Sequence, residues 1–183
     1  MESSRPPYIL SPREKPYTLV LGLNEILANF QQINYNQGVL KLRPYLIEFL
    51  ENISRYYELI LFTSGTQYYA EPIIRAIEHK KKYFDFIFYR DSCIFLKNNL
   101  VKDLTRIGSP LESIIIIEKN PQYFKLQKEN GIKIKPFLPK DSNDRVLYDL
   151  IPILINIAQE EIDVREGLSK YRFEIMRKIT SIT

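Results

Sequence analysis

The chain has 183 residues, of which 45% are hydrophobic and 26% are charged, and these proportions are typical of one compact domain with short tails. A single cysteine (Cys93) and a single histidine (His79) exclude an internal disulfide, a cysteine- or histidine-based metal site and most histidine-dependent catalysis. The 26 basic and 22 acidic residues give a net charge of +4, but they are intermixed, so we expect no nucleic-acid-binding stripe.

Residues 1–15 are rich in proline and lack apolar periodicity, which predicts an extended N-terminal arm. We place the domain at residues 16–161. Its first segment, residues 17–21, is a near-continuous apolar run typical of a strand buried on both faces, and Gly22 follows it in a turn.

Strands and helices alternate in the rest of the domain. The first half predicts a strand at 39–42, a helix opened by Arg43-Pro44 and continuing to Ile53, a buried strand at 58–62, and a helix from the 63–66 loop to about Glu78. The second half predicts a strand at 84–89, a hairpin at 93–101, a strand at 114–117, a short helix ending at Phe124, a strand at 132–134, and a helix from Arg145 to about Gln159. This order indicates an α/β fold: a Rossmann-like parallel sheet between helices, with a small β-hairpin insertion.

The last segment, residues 162–183, predicts a helical C-terminal tail with one apolar face. The apolar residues recur at spacings of three and four: Val164, Leu168, Tyr171, Ile175 and Ile179. This face either packs on its own domain or docks on a partner, and the pattern alone leaves both alternatives open.

In an open parallel sheet, ligands bind beyond the carboxyl ends of the strands. Three loops should meet there, at residues 22–27, 63–66 and 118–121, and Lys102 is a candidate to join them from the hairpin. We therefore expect any functional site at this edge of the sheet.

Several stretches together resemble the phosphatase domain of the haloacid dehalogenase superfamily that acts on the C-terminal domain of RNA polymerase II, the NLI-interacting-factor-like family. The stretches are Tyr17-Thr18-Leu19-Val20-Leu21, Arg43-Pro44, Phe62-Thr63-Ser64, Tyr69-Ala70-Glu71-Pro72, Arg90-Asp91-Ser92-Cys93, residues 101–108 and Leu147-Tyr148-Asp149-Leu150-Ile151-Pro152. The resemblance covers residues 16 to about 176.

The resemblance implies a reaction in which one aspartate attacks phosphorus, a second aspartate transfers the proton, and Mg²⁺ neutralises the phosphoryl group. The family signature, D-x-D-x-T/V, follows the first strand, where this chain reads Gly22-Leu23-Asn24-Glu25-Ile26. The nucleophile position is therefore Gly22, the proton-transfer position is Asn24, and the hydroxyl position is Ile26. None of these side chains can perform the corresponding step.

The metal-binding loop departs from the family as well. Its Asp-Asn pair is replaced by Glu118-Lys119, and an aspartate before the last helix aligns with Lys140. Oxygen ligands hold Mg²⁺, whereas a lysine ammonium repels it, so we expect neither a metal nor another cofactor. Thr63 and Lys102 match the family's phosphate-contacting hydroxyl and phosphate-stabilising lysine.

Each retained or substituted residue also has a structural interpretation. Thr63 either caps the following helix or contacts an anion, and Lys102 either pairs with Glu118 or is a remnant of an anion site. Lys119 either supplies the counter-charge for an acid in the old cleft or turns out to solvent. Glu25 should face away from the cleft, because successive residues leaving a strand point to opposite sides.

The function that we predict is a catalytically inactive phosphatase-like protein acting as a structural or scaffolding subunit of a larger protein complex, with protein partners and no nucleic acid. We expect the N-terminal arm and the C-terminal tail to dock on those partners. The alternatives are a phosphopeptide-binding module that uses Thr63, Lys102 and Lys119, or an active Mg²⁺-dependent serine/threonine phosphatase.

The sequence is compatible with two compartments, the mitochondrion and the cytoplasm. Residues 143–150 resemble the presequence-receptor subunit of the mitochondrial inner-membrane translocase, which departs from the catalytic motif too. The first residues lack an apolar signal core and carry an early glutamate, and no run of about 18 apolar residues predicts a membrane span.

Overall fold

The computed structural model describes residue 8, residues 13–34 and residues 37–180. Most of the predicted 1–15 arm and the last three residues of the predicted tail lie outside these ranges. In chain order, the elements are β1 (Tyr17–Leu21), β2 (Ala28–Asn34), β3 (Gln37–Leu42), α1 (Leu46–Ile53), β4 (Tyr57–Phe62), α2 (Gln67–Ile77), β5 (Phe86–Phe88), β6 (Ile94–Leu96), β7 (Asn99–Val101), β8 (Ile114–Glu118), β9 (Gly131–Lys133), α3 (Val146–Gln159), α4 (Val164–Lys170) and α5 (Arg172–Thr180).

Five strands form one parallel sheet in the order β5-β4-β1-β8-β9, which confirms the predicted α/β class. The central strands β1, β4 and β8 are buried along their whole length, as their apolar runs predict. Buried residues of all five α-helices pack on one face of the sheet. The other face is covered by the 104–113 and 121–124 segments, which form short 3-10 helices.

Two antiparallel hairpins lie outside this sheet. The predicted insertion is confirmed as the pair β6 and β7. The pair β2 and β3 contains one strand that the sequence did not predict, because Ala28–Asn34 is largely polar and exposed and has no apolar run to mark it.

The C-terminal tail packs on its own domain. Val164, Leu168, Ile175 and Ile179 are buried in the same apolar cluster as the helix α3. Of the two alternatives for the tail, the structure agrees with packing on its own domain. The apolar face of the tail is therefore already covered. No helix within the described ranges is long and apolar enough to cross a membrane.

The described part of the N-terminal arm also contacts the domain. The Tyr8 amide donates to the Arg106 carbonyl at 2.7 Å, and the Arg106 guanidinium lies 3.8 Å from the centroid of the Tyr8 ring. Arg13 pairs with Glu58 at 2.9 Å. These contacts hold residues 8 and 13 on the sheet face opposite the α-helices.

Candidate functional site

The sheet register brings the predicted site residues together at the carboxyl ends of its central strands. Leu21 of β1 is aligned with Leu61 of β4 and with Ile117 of β8. The residues at the ends of these strands, Gly22 after β1, Thr63 after β4 and Glu118 at the end of β8, therefore meet at one edge of the sheet.

The Glu118 carboxylate lies where a side chain at position 22 would have to be. A Cβ atom built on Gly22 would be 2.4 Å from Glu118 Oε1 and 2.7 Å from its Cδ. The backbone of Gly22 is not in the left-handed region, so space rather than conformation requires glycine here. The nucleophile position thus lacks a side chain, and the Glu118 carboxylate occupies the space that a side chain there would need.

Lys102 neutralises this acid. Its side chain is 1% exposed, and its ammonium donates to Glu118 Oε1 and to the carbonyl of Phe62. The same ammonium lies 4.8 Å from the centroid of the Tyr123 ring, and Glu118 Oε2 accepts the Lys119 amide at 3.0 Å. The ion pair that the sequence offered as one alternative for Lys102 is confirmed.

Lys119 pairs with Glu25 rather than with Glu118 or Asp141. Its ammonium donates to Glu25 Oε2 at 2.6 Å, and both side chains remain about one quarter to one third exposed. The expectation that Glu25 faces away from the cleft is wrong, because its φ of 62° breaks the extended alternation on which that expectation depended.

Asn24 and Ile26 make contacts unrelated to phosphate chemistry. The Asn24 amide oxygen accepts from the Tyr69 hydroxyl at 3.1 Å. Burial, and secondarily the charge of Glu25, raise the pKa of Tyr69, so this hydroxyl keeps its proton and stays a donor. Ile26 is fully buried in the apolar core.

Thr63 is buried, but it does not cap helix α2. Its hydroxyl oxygen accepts the Gly65 amide at 3.0 Å and closes the local turn. The capping residue is Thr66, which accepts the Tyr69 amide at 3.4 Å. The capping interpretation of Thr63 is wrong because the helix begins at Gln67, beyond its reach.

Sequence reasoning missed the most deeply buried ion pair near this edge. Arg43 contacts Asp144 through two hydrogen bonds of 2.9 and 2.8 Å, and both side chains are fully buried. Arg43 also donates to the carbonyls of Ile26 and Lys135, at 3.2 and 3.1 Å. One guanidinium thereby ties the loop after β1 to the segment before α3. The available signal in the sequence for this ion pair was the position of Arg43 next to Pro44, at the predicted start of a helix.

The residues present do not suit the Mg²⁺ ion of the haloacid dehalogenase fold. The Glu118 and Glu25 carboxylates are engaged by lysine ammonium groups, and Asp144 is engaged by Arg43. Within the described ranges, no three histidine, cysteine, aspartate or glutamate residues are grouped to hold a metal ion. The three carboxylates are therefore each paired with a cationic side chain rather than available as ligands of Mg²⁺.

The chain is similar to known proteins in both sequence and fold. Residues 17–165 match the family model for NLI interacting factor-like phosphatase. CTD small phosphatase-like protein 2 of Dictyostelium discoideum is 34% identical over 96% of this chain and 33% of its own length. The mitochondrial import inner membrane translocase subunit TIM50 of Kluyveromyces lactis is 32% identical over 86% of this chain and 33% of its own length.

The chain thus spans about a third of the length of these relatives. Among solved structures, the fission yeast RNA polymerase II CTD phosphatase Fcp1 aligns with a TM-score of 0.56 at 19% identity, over 87% of this chain and 55% of that chain. This likeness supports the fold.

Proposed function

Since the chain belongs to the NLI interacting factor-like phosphatase family, we propose that it is a catalytically inactive member that serves as a structural subunit of a larger protein assembly. The observation that carries this proposal is the Glu118 carboxylate, which fills the space beside Gly22 and is neutralised by Lys102.

Aspartyl-phosphate chemistry needs an accessible carboxylate that can attack in line and a second group that transfers a proton. Gly22 has no side chain, and Asn24 has no titratable proton. Glu118 is 3% exposed and held by a buried ammonium, so it cannot approach an incoming phosphoryl group without breaking that pair. Each part of the reaction is therefore missing for a separate chemical reason.

The names of the relatives support protein partners. Several of them are named as subunits of the mitochondrial import inner membrane translocase, and others are named as CTD small phosphatase-like proteins. A chain that keeps the fold without the reactive groups of the family is better suited to a subunit role than to a phosphatase role. We accordingly propose assembly with other proteins and include mitochondria as a location.

A phosphopeptide-binding module is the less favoured alternative. Such a module needs cations free to face a phosphate. The Lys102 ammonium is buried against Glu118, and the Lys119 ammonium is 2.6 Å from Glu25. A phosphate would have to displace a carboxylate from either lysine.

Catalytic inactivity is tested by assaying the purified chain with Mg²⁺ on an aryl phosphate and on a phosphoserine peptide, where we expect no hydrolysis above background. A comparison variant restores the two aspartates of the family motif and its Asp-Asn pair: Gly22→Asp, Asn24→Asp, Glu118→Asp and Lys119→Asn. Mg²⁺-dependent hydrolysis by the unaltered chain that disappears with Glu25→Gln or Glu118→Gln would overturn the proposal.

The structural role is tested by size-exclusion chromatography of a native extract. We expect the chain to elute in a stable complex far above the 21.7 kDa of these 183 residues. Elution of the protein free of other proteins, under conditions that keep other complexes intact, would contradict a subunit role.

A further inference from the structure

A cavity of about 440 Å³ lies at the start of helix α3. Basic side chains from three parts of the chain line it: the segment after β9, the segment before α3, and helix α5. They are Lys135, Lys140, Arg145 and Lys178. None of the residues that meet at the Gly22 edge of the sheet lines this cavity, so it is separate from the site described above.

The buried acid of the cavity is already neutralised. Asp144 lines the cavity, but its two oxygens accept hydrogen bonds from Arg43. The Lys135 ammonium lies 3.7 Å from the same carboxylate and adds a second positive charge. Lys178 pairs with Glu174 at 3.1 Å. This acid therefore leaves Lys140 and Arg145 without neutralisation.

Lys140 and Arg145 are the most accessible cations of the cavity. Lys140 is exposed and forms no ion pair with a described residue. The Arg145 side chain is 54% exposed and lies 4.0 Å from Asp149, at the limit of an ion pair. Asp141, the remaining acid of the lining, accepts the Leu138 amide at 3.4 Å. The basic groups at the cavity thus outnumber the acidic ones.

An aromatic surface adjoins the cavity through Arg145. The Arg145 guanidinium lies 4.5 Å from the centroid of the Tyr148 ring and 5.6 Å from that of the Tyr45 ring. The two ring centroids are 5.1 Å apart, and each tyrosine is 38% exposed. Tyrosine and arginine are enriched among the residues that contribute most of the binding energy in protein interfaces.

The backbone of Tyr45 is in an unfavourable conformation. Its φ is 62°, in the left-handed region that is costly for a bulky residue and readily adopted by glycine. Tyr45 directly precedes α1, but its side chain makes no capping hydrogen bond to the helix. Strained residues are concentrated at binding and active sites, so a tyrosine here indicates a role for its exposed ring.

We propose that this cavity and the tyrosine pair form the docking surface for an acidic segment of a partner protein, an inference that rests on the proposed role as a subunit. Carboxylates of the partner pair with Lys140 and Arg145, and a neighbouring apolar or aromatic side chain packs on Tyr45 and Tyr148. Charge complementarity selects an acidic segment, because a basic one would face the surplus of positive charge.

The first test compares two charge reversals in the full protein by size-exclusion chromatography of a native extract. For Lys140→Glu with Arg145→Glu, we expect the fraction of the protein in the complex to fall about tenfold or more, because carboxylates then face carboxylates. The matched control is Lys80→Glu with Lys81→Glu, which makes the same change in charge at two exposed lysines that do not line the cavity. This control should stay in the complex, and circular dichroism checks that both variants are folded.

Tyr45→Gly separates binding from folding. Glycine removes the exposed ring and suits the left-handed backbone, so the melting temperature should stay the same or rise while the fraction in the complex falls. A lower melting temperature with an unchanged fraction in the complex would make Tyr45 a purely structural residue and would count against the proposal.

Photocrosslinking identifies the class of the partner. With Tyr148 replaced by photoreactive benzoylphenylalanine, irradiation of the native complex should yield a crosslinked peptide with several aspartate or glutamate residues, read by mass spectrometry. A crosslink to a neutral or basic peptide, to lipid or to nucleic acid would overturn this inference alone, as would both charge-reversed proteins staying in the complex. Elution of the unaltered protein free of other proteins would overturn the proposed function and this inference together.

Discussion

The contact between Gly22 and Glu118 can be tested by adding a single methyl group. In Gly22→Ala, the new Cβ would lie 2.4 Å from Glu118 Oε1 and 3.1 Å from Oε2, well inside van der Waals distance. The carboxylate cannot simply swing aside, because Lys102 and the Lys119 amide hold its two oxygens. Either the ion pair is displaced or the strand ends move apart.

The magnitude follows from two opposing effects. Overpacking a buried site costs about 1–3 kcal/mol, and complete loss of a buried ion pair costs about 3–5 kcal/mol. Replacing glycine by alanine at a permitted backbone conformation restricts the unfolded chain and returns about 0.4–1 kcal/mol. Because a small movement of the strand ends relieves the clash without breaking the ion pair, we expect Gly22→Ala to lower the free energy of unfolding by about 2 kcal/mol.

Urea unfolding followed by circular dichroism measures this loss. Glu118→Asp provides the control background, because the aspartate side chain is shorter by one methylene and its carboxylate lies farther from position 22. In that background, Gly22→Ala should cost less, with a coupling of about 1 kcal/mol between the two sites. Equal losses in both backgrounds, or no loss in the native one, would refute the steric argument.

Three further outcomes are expected. Lys119→Met should lower the free energy of unfolding, measured in urea, by about 0.5–1 kcal/mol. The loss should shrink in high salt, because the ion pair of Lys119 with Glu25 is partly exposed and is screened by ions. A salt-independent loss would contradict this. Ile175→Ala should lower the free energy of unfolding by about 2 kcal/mol, because Ile175 belongs to the core cluster. Phe173→Ala, at an exposed site on the same helix, should change it by about 0.5 kcal/mol or less. Equal losses would place the tail outside the core. The Tyr89 hydroxyl, 2.6 Å from Glu71, lowers the pKa of that carboxyl in the folded state, so its stabilisation is present above the ordinary carboxyl pKa and is lost as the pH falls. Thermal melting between about pH 6 and pH 3 should show a smaller decrease for Tyr89→Phe than for the native chain, and identical decreases would exclude this coupling.

The amino-acid sequence by itself determined the class of fold and the absence of the reactive groups. The strands β1, β4 and β8 are runs of apolar residues, and such runs form buried parallel strands in most surroundings. Gly22 has no carboxylate and Asn24 has no titratable proton, and both facts follow from residue type. No packing can supply them.

Tertiary structure alone decided which charges meet. Glu118 pairs with Lys102 because sheet register and the β7 hairpin strand bring their side chains into one buried volume. Glu25 reaches Lys119 because its left-handed backbone turns it back toward β8. Local periodicity describes a segment's own faces but not the segment that packs against them, and the partner of a buried charge depends on that packing.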